Sequence, residues 1–127
     1  MPAPYHPFDP SSGRPESFAL LAMVKGLMSE DSFHRSGRVA RTLVRADQLT
    51  TVLVAIKKDG EMHEHSAPGP AIVTVLKGKV SFEFEDSPEM SLPEGTSVVF
   101  AQDAPHRVRA LEDSAFLLVV GGRQKDE

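Results

Sequence analysis

GEMHEHSAPGPAIVTVLKGKVSFEFE, residues 60–85, carries three signals at once: a histidine pair two residues apart, a β-branched run, and a Lys77-Gly78-Lys79 turn opening a second run. In the second run Val80, Phe82 and Phe84 share one parity while Ser81, Glu83 and Glu85 share the other. Side chains alternate across a strand, so this predicts one face in a core and one in water. The same parity puts the imidazoles of His63 and His65 on one face if their segment is a strand.

Working outward, short β-branched segments broken by Gly, Pro, Asp and Ser continue in both directions from Gly37 onward. The pattern predicts strands at 38–46, 49–57, 62–65, 71–77, 79–85, 89–92, 96–101, 106–111 and 115–120. Many short strands with regular turns make a sandwich or barrel. Upstream, Phe18, Leu20, Leu21, Met23, Val24, Leu27 and Met28 recur at helical spacing. One amphipathic helix is expected from Glu16 to about Ser29, with Ser17 available as its N-cap. Prolines at 2, 4, 7, 10 and 15 make the first fifteen residues an extended arm.

With 127 residues, 40% of them hydrophobic, the chain has material for one core. The expected organisation is an arm and helix over 1–36 packing on the barrel or on a partner subunit, a barrel over 37–122, and a tail over 123–127. The formal charge is −4, from 14 basic and 18 acidic residues, and the basic ones are scattered. That argues against nucleic acid and an anionic membrane as partners. No apolar run is long enough to span a bilayer, and the N-terminus lacks the pattern of a secretory signal, so a soluble, cytoplasmic protein is expected. With no cysteine, imidazole and carboxylate are the strong metal ligands available.

His106 follows Pro105 and shares parity with Val108 and Ala110, which points it into the barrel, while Arg107 and Arg109 take the outer face. Three converging neutral imidazoles from His63, His65 and His106 suit Zn²⁺, Fe²⁺, Ni²⁺, Cu²⁺ or Mn²⁺ and leave coordination positions open. His6 and His34 are remote in sequence from this set; Glu61, of the same parity as His63, is a candidate carboxylate and Gln102 a neutral candidate, and each reads first as a solvated side chain. Neither a nucleophile elbow, a phosphate-binding glycine loop nor a zincin helix motif is present, so catalysis would run through the metal.

The order H63-x-H65, V75-L-x-G78, P93-x-G95, P105-H106, threaded through short strands over roughly residues 45–120, resembles the two motifs of the cupin superfamily. The resemblance implies an all-β double-stranded β-helix, a jelly-roll barrel, here with one N-terminal helix and an extended arm. It also implies a divalent metal on His63, His65 and His106. The glutamate that completes the family's ligand set falls on Ala71, so the carboxylate ligand is absent. Small cupins resembling this one are frequently homodimers. The implied function is a metal-dependent enzyme acting on a small molecule in the barrel, of dioxygenase or isomerase type, with its catalytic residues unassigned; the alternative is a non-catalytic small-molecule binding or sensing module.

Overall fold

The computed structural model describes residues 6–64, 69–85 and 87–122. Nine strands follow two helices: α1 (Leu20–Met28), α2 (Asp31–Ser36), β1 (Arg38–Arg45), β2 (Leu49–Ile56), β3 (Glu61–Glu64), β4 (Ala71–Lys77), β5 (Lys79–Phe84), β6 (Met90–Pro93), β7 (Ser97–Phe100), β8 (His106–Ala110) and β9 (Ser114–Gly121). They form two antiparallel sheets, β1-β2-β9-β4-β7 and β3-β8-β5-β6. This is the all-β jelly-roll architecture.

The inward faces of the sheets bury Val54, Ile56, Val73, Val75, Val80, Phe82, Val108, Ala110 and Phe116 between them. Phe82 is 1% exposed, and its ring packs against those of Phe84, Phe100 and Phe116. The opposite parity of β5 is not uniformly solvated. Ser81 is buried because its hydroxyl donates to the carboxylate of Glu89, which folds over it.

The helical region differs from its sequence-based reading in two ways. The first helix begins at Leu20, with Ala19 at the cap position and no side-chain cap, so Ser17 has no capping role. A second helix, Asp31–Ser36, follows and stops at Gly37, which takes a left-handed φ of 80°. Six residues with one buried side chain, Phe33, are too short for a periodic signal to emerge. Both helices lie on the outer face of the five-stranded sheet, where Val24, Leu27 and Phe33 pack with Leu43, Leu53, Ala55 and Ala115. The Arg41 guanidinium donates to Glu30 at 2.7 Å and ties β1 to the helical layer.

The arm is extended where it meets the barrel. Phe8 bridges Val44 in parallel, donating to Leu43 O at 2.8 Å and accepting from Arg45 N at 3.1 Å. A 3-10 turn, Pro10–Ser12, follows, with Asp9 accepting from the Ser11 backbone N–H. That hydrogen bond holds the Asp9 carboxyl below its ordinary pKa.

The two sheets are stitched at one end. The chain passes from one sheet to the other at Gly78, which has a φ of 79°. Beside it the fully buried Ser114 hydroxyl accepts from Lys79 N at 2.9 Å and reaches Glu112 O at 2.7 Å. Asp113 accepts from Lys58 N at 2.9 Å, Asp59 N donates to Ala110 O at 2.8 Å, and Leu111 N donates to Lys79 O at 2.9 Å. The far ends of β4, β5, β7 and β8, at Ala71, Phe84, Phe100 and His106, form the opposite end, the mouth.

Candidate functional site

The mouth is organised around His106. Phe100, Phe84 and Phe82 surround its ring, with centroids 4.7, 5.8 and 5.9 Å away. Its Nδ1 lies 2.9 Å from Ala104 O. A carbonyl oxygen can only accept, so Nδ1 carries the proton and the neutral ring keeps its lone pair on Nε2. Metal-ligating histidines are oriented in the same way, by a hydrogen bond from the nitrogen that does not bind the ion.

β3 is where the site departs from simple parity. Its one apolar residue, Met62, packs onto the barrel core. Burying that thioether in preference to an imidazole is the favourable choice for a four-residue strand. His63 therefore stands on the outer face, its side chain 58% exposed and its Nε2 3.4 Å from Glu61. The register agrees, pairing His63 with Arg107 and Glu64 with His106. Glu61 is thus a neighbour of His63, beyond the solvated role expected of it.

His63 and His106 nevertheless line one cleft of about 390 Å³, together with Glu83, Phe84, Pro105 and Arg107. They approach it from opposite sides of the end of β8. His65 lies outside the described residues, as does the tail over 123–127. Among the described residues, no three His, Asp or Glu side chains are grouped to hold a metal. Ala71 is 1% exposed and belongs to the interior cluster. The position matched to the family's glutamate thus faces inward and presents a methyl group.

The remaining candidates are accounted for. Arg107 pairs with Glu83 at 3.3 Å and Arg109 with Asp59 at 3.7 Å, all on the outer face. Gln102 and His34 are exposed. His6 is exposed on the arm, far along the chain from the mouth. Sequence reasoning did not single out Phe100 and Phe84 as the walls around His106. The parity of Phe84 with Phe82 was the available signal; nothing local in S97-V-V-F100 marks its phenylalanine as a neighbour of a histidine.

The cupin domain family profile matches residues 52–121, more than half of the chain. The chain is a member of the cupin family. A search of curated proteins returns no match. Among solved structures, this cupin is similar to a conserved protein of unknown function from Streptococcus pyogenes, at 31% identity and a TM-score of 0.64, covering 72% of this chain and 79% of that one. An RmlC-like cupin from Desulfovibrio desulfuricans aligns at 23% identity and a TM-score of 0.69, over 85% and 97% of the two chains. The DMSP lyase DddQ from Ruegeria pomeroyi aligns at 21% identity and a TM-score of 0.66, over 82% of this cupin and 56% of the lyase. The last two likenesses concern the fold. No helix among the described residues is long and apolar enough to cross a membrane.

Proposed function

We propose that this cupin binds a small molecule at its mouth, with His63, His65 and His106 holding a divalent transition metal: zinc, iron, nickel, copper or manganese. The observation that carries the reading is the Nδ1 hydrogen bond of His106 to Ala104 O, which leaves Nε2 as a lone-pair donor in a cleft of about 390 Å³. That volume suits a small molecule.

Neutral imidazole is a good ligand for all five metals, and such an ion would have to draw His63, which stands on the outer face of β3, toward the inward-facing His106 across the cleft both line. When bound, the metal supplies Lewis acidity or oxygen activation to a ligand in an open position. The chain's own contribution is orientation and exclusion of water. Phe82, Phe84 and Phe100 fix the His106 ring, and the Ala104 carbonyl fixes its tautomer. We also propose a homodimer, on the resemblance to small cupins and the prevalence of two-fold dimers, located in the cytoplasm. The chemistry of this chain selects no reaction.

A second reading, a metal-free binding or sensing module, is favoured by Ala71. Its buried methyl stands where a carboxylate would complete the family's ligand set, and an all-imidazole set binds its ion with one ligand fewer.

Elemental analysis of untagged protein purified without chelator tests the metal. Near-stoichiometric metal, lost in His106→Ala and His65→Ala variants that circular dichroism shows to be folded, is expected. No metal in the native protein, even after reconstitution with Fe²⁺, Ni²⁺ and Zn²⁺, overturns the reading in favour of the metal-free module.

A further inference from the structure

We infer that the ligand of this site is amphiphilic: a compact hydrocarbon group seated between β6 and β7, joined to an oxygen-bearing head that meets His106. The inference rests on the small-molecule reading above and adds the chemical class of the molecule.

Beside the His106 cleft lies a second cleft of about 320 Å³. Phe84, Glu85, Ser87 and Pro105 line both, so the two are lobes of one groove across the mouth. Their chemistry differs. The first lobe presents His63, Glu83, His106 and Arg107. The second is walled by Met90, Val98, Val99, Phe100 and Ala104, with Glu85 at the shared rim as its one charged residue among those described.

The sheet topology explains why the apolar lobe exists. One sheet ends at β7 and the other at β6, and among the described residues no ladder joins these two edges. Away from the turn that links them, where Thr96 N donates to Pro93 O at 3.1 Å, the seam is lined by side chains. Met90 and Val99 remain 37% and 67% exposed there, apolar surface that a hydrocarbon would cover.

Size narrows the class. A cavity of about 150 Å³ accepts benzene. A lobe of about twice that volume takes a bicyclic ring or a chain of roughly eight carbons. The head is constrained by what faces it: Nε2 of His106, or a metal on it, and the Arg107 guanidinium, whose partner Glu83 is half-exposed and 3.3 Å away. An oxygen head, carboxylate or hydroxyl, satisfies either partner.

The test uses two homologous probe series, straight-chain carboxylates from acetate to decanoate and the matching primary alcohols, titrated calorimetrically into Zn²⁺-loaded and metal-free protein. Affinity in one series or both is expected to rise about three- to fourfold per methylene and to level off near roughly eight carbons. Met90→Trp and Ala104→Leu, which fill the lobe from two sides, are expected to flatten that slope. Affinity independent of chain length, or absent throughout, overturns the inference. A light-scattering dimer that Val99→Glu dissociates, with no slope in either series, also overturns it and makes a second copy of the chain the occupant. Metal content separates this outcome from the proposed function: metal without a slope removes only the amphiphile, and a slope without metal removes only the three-histidine centre.

Discussion

Gly78 and Gly95 both hold φ near +80°, at 79° and 85°, but their surroundings differ, which makes Gly78→Ala and Gly95→Ala a matched pair. A Cβ in the left-handed region costs about 1–2 kcal/mol at either site. A stiffer unfolded chain offsets about 0.4–1 kcal/mol of that equally in both. At Gly95 nothing lies within 4 Å of the added carbon. At Gly78 it would stand 2.5 Å from the backbone oxygen of Asp113 and press on the Ser114 hydroxyl. Backbone at that distance has to move, and Ser114 would lose its bond from Lys79 N, a further cost of about 1–3 kcal/mol. The expected losses are about 1–5 kcal/mol for Gly78→Ala and about 0–1.5 kcal/mol for Gly95→Ala, so the two should differ by about 1–3 kcal/mol. Typical domains hold about 5–15 kcal/mol in total. In urea melts followed by circular dichroism on metal-free protein, Gly78→Ala should lose about 1–3 kcal/mol more than Gly95→Ala, and in thermal melts its midpoint should fall several degrees further. Equal losses at the two glycines would refute the steric argument and leave only the φ term.

Two further outcomes follow from the packing. Phe82→Ala removes a 1% exposed ring that touches Phe84, Phe100, Phe116 and His106 and should cost about 3–5 kcal/mol in the same melts; a loss under about 1 kcal/mol would show that the aromatic cluster is not the centre of the core. Deleting residues 1–9 strips the two backbone hydrogen bonds of Phe8 from β1. Amide exchange at Arg45 should then accelerate and stability fall by about 1–2 kcal/mol, whereas unchanged protection at Arg45 would mean the arm does not dock in solution.

The strands were legible because the local code and the global fold agree there. Val80, Phe82 and Phe84 alternate with polar neighbours and do face the core, and the turn at Gly78 is demanded by a backbone that only glycine adopts without strain. The barrel class follows from such segments, and the cupin family profile shares it. Reading fails where a residue's environment is set by distant chain. Ser81 is covered by Glu89, eight residues away, and α2 buries only one of its side chains, Phe33. The site suffered most from this. Parity relates His63 to Glu61 correctly, but it cannot say which parity faces in, and Met62 took the interior. For His106 the apolar partners Val108 and Ala110 supplied that information, since both are buried beneath it on β8.

The stitched end of the barrel has an implication for how such a chain can change over time. Ser114, Asp113 and Gly78 bind the two sheets together on the side away from His106, mostly through contacts to backbone. Residues at the mouth, such as Met90, Glu85 and Arg107, carry little of that burden, being exposed or half-exposed. Selection can therefore rewrite one end for a new ligand without renegotiating the knot that keeps the polypeptide folded.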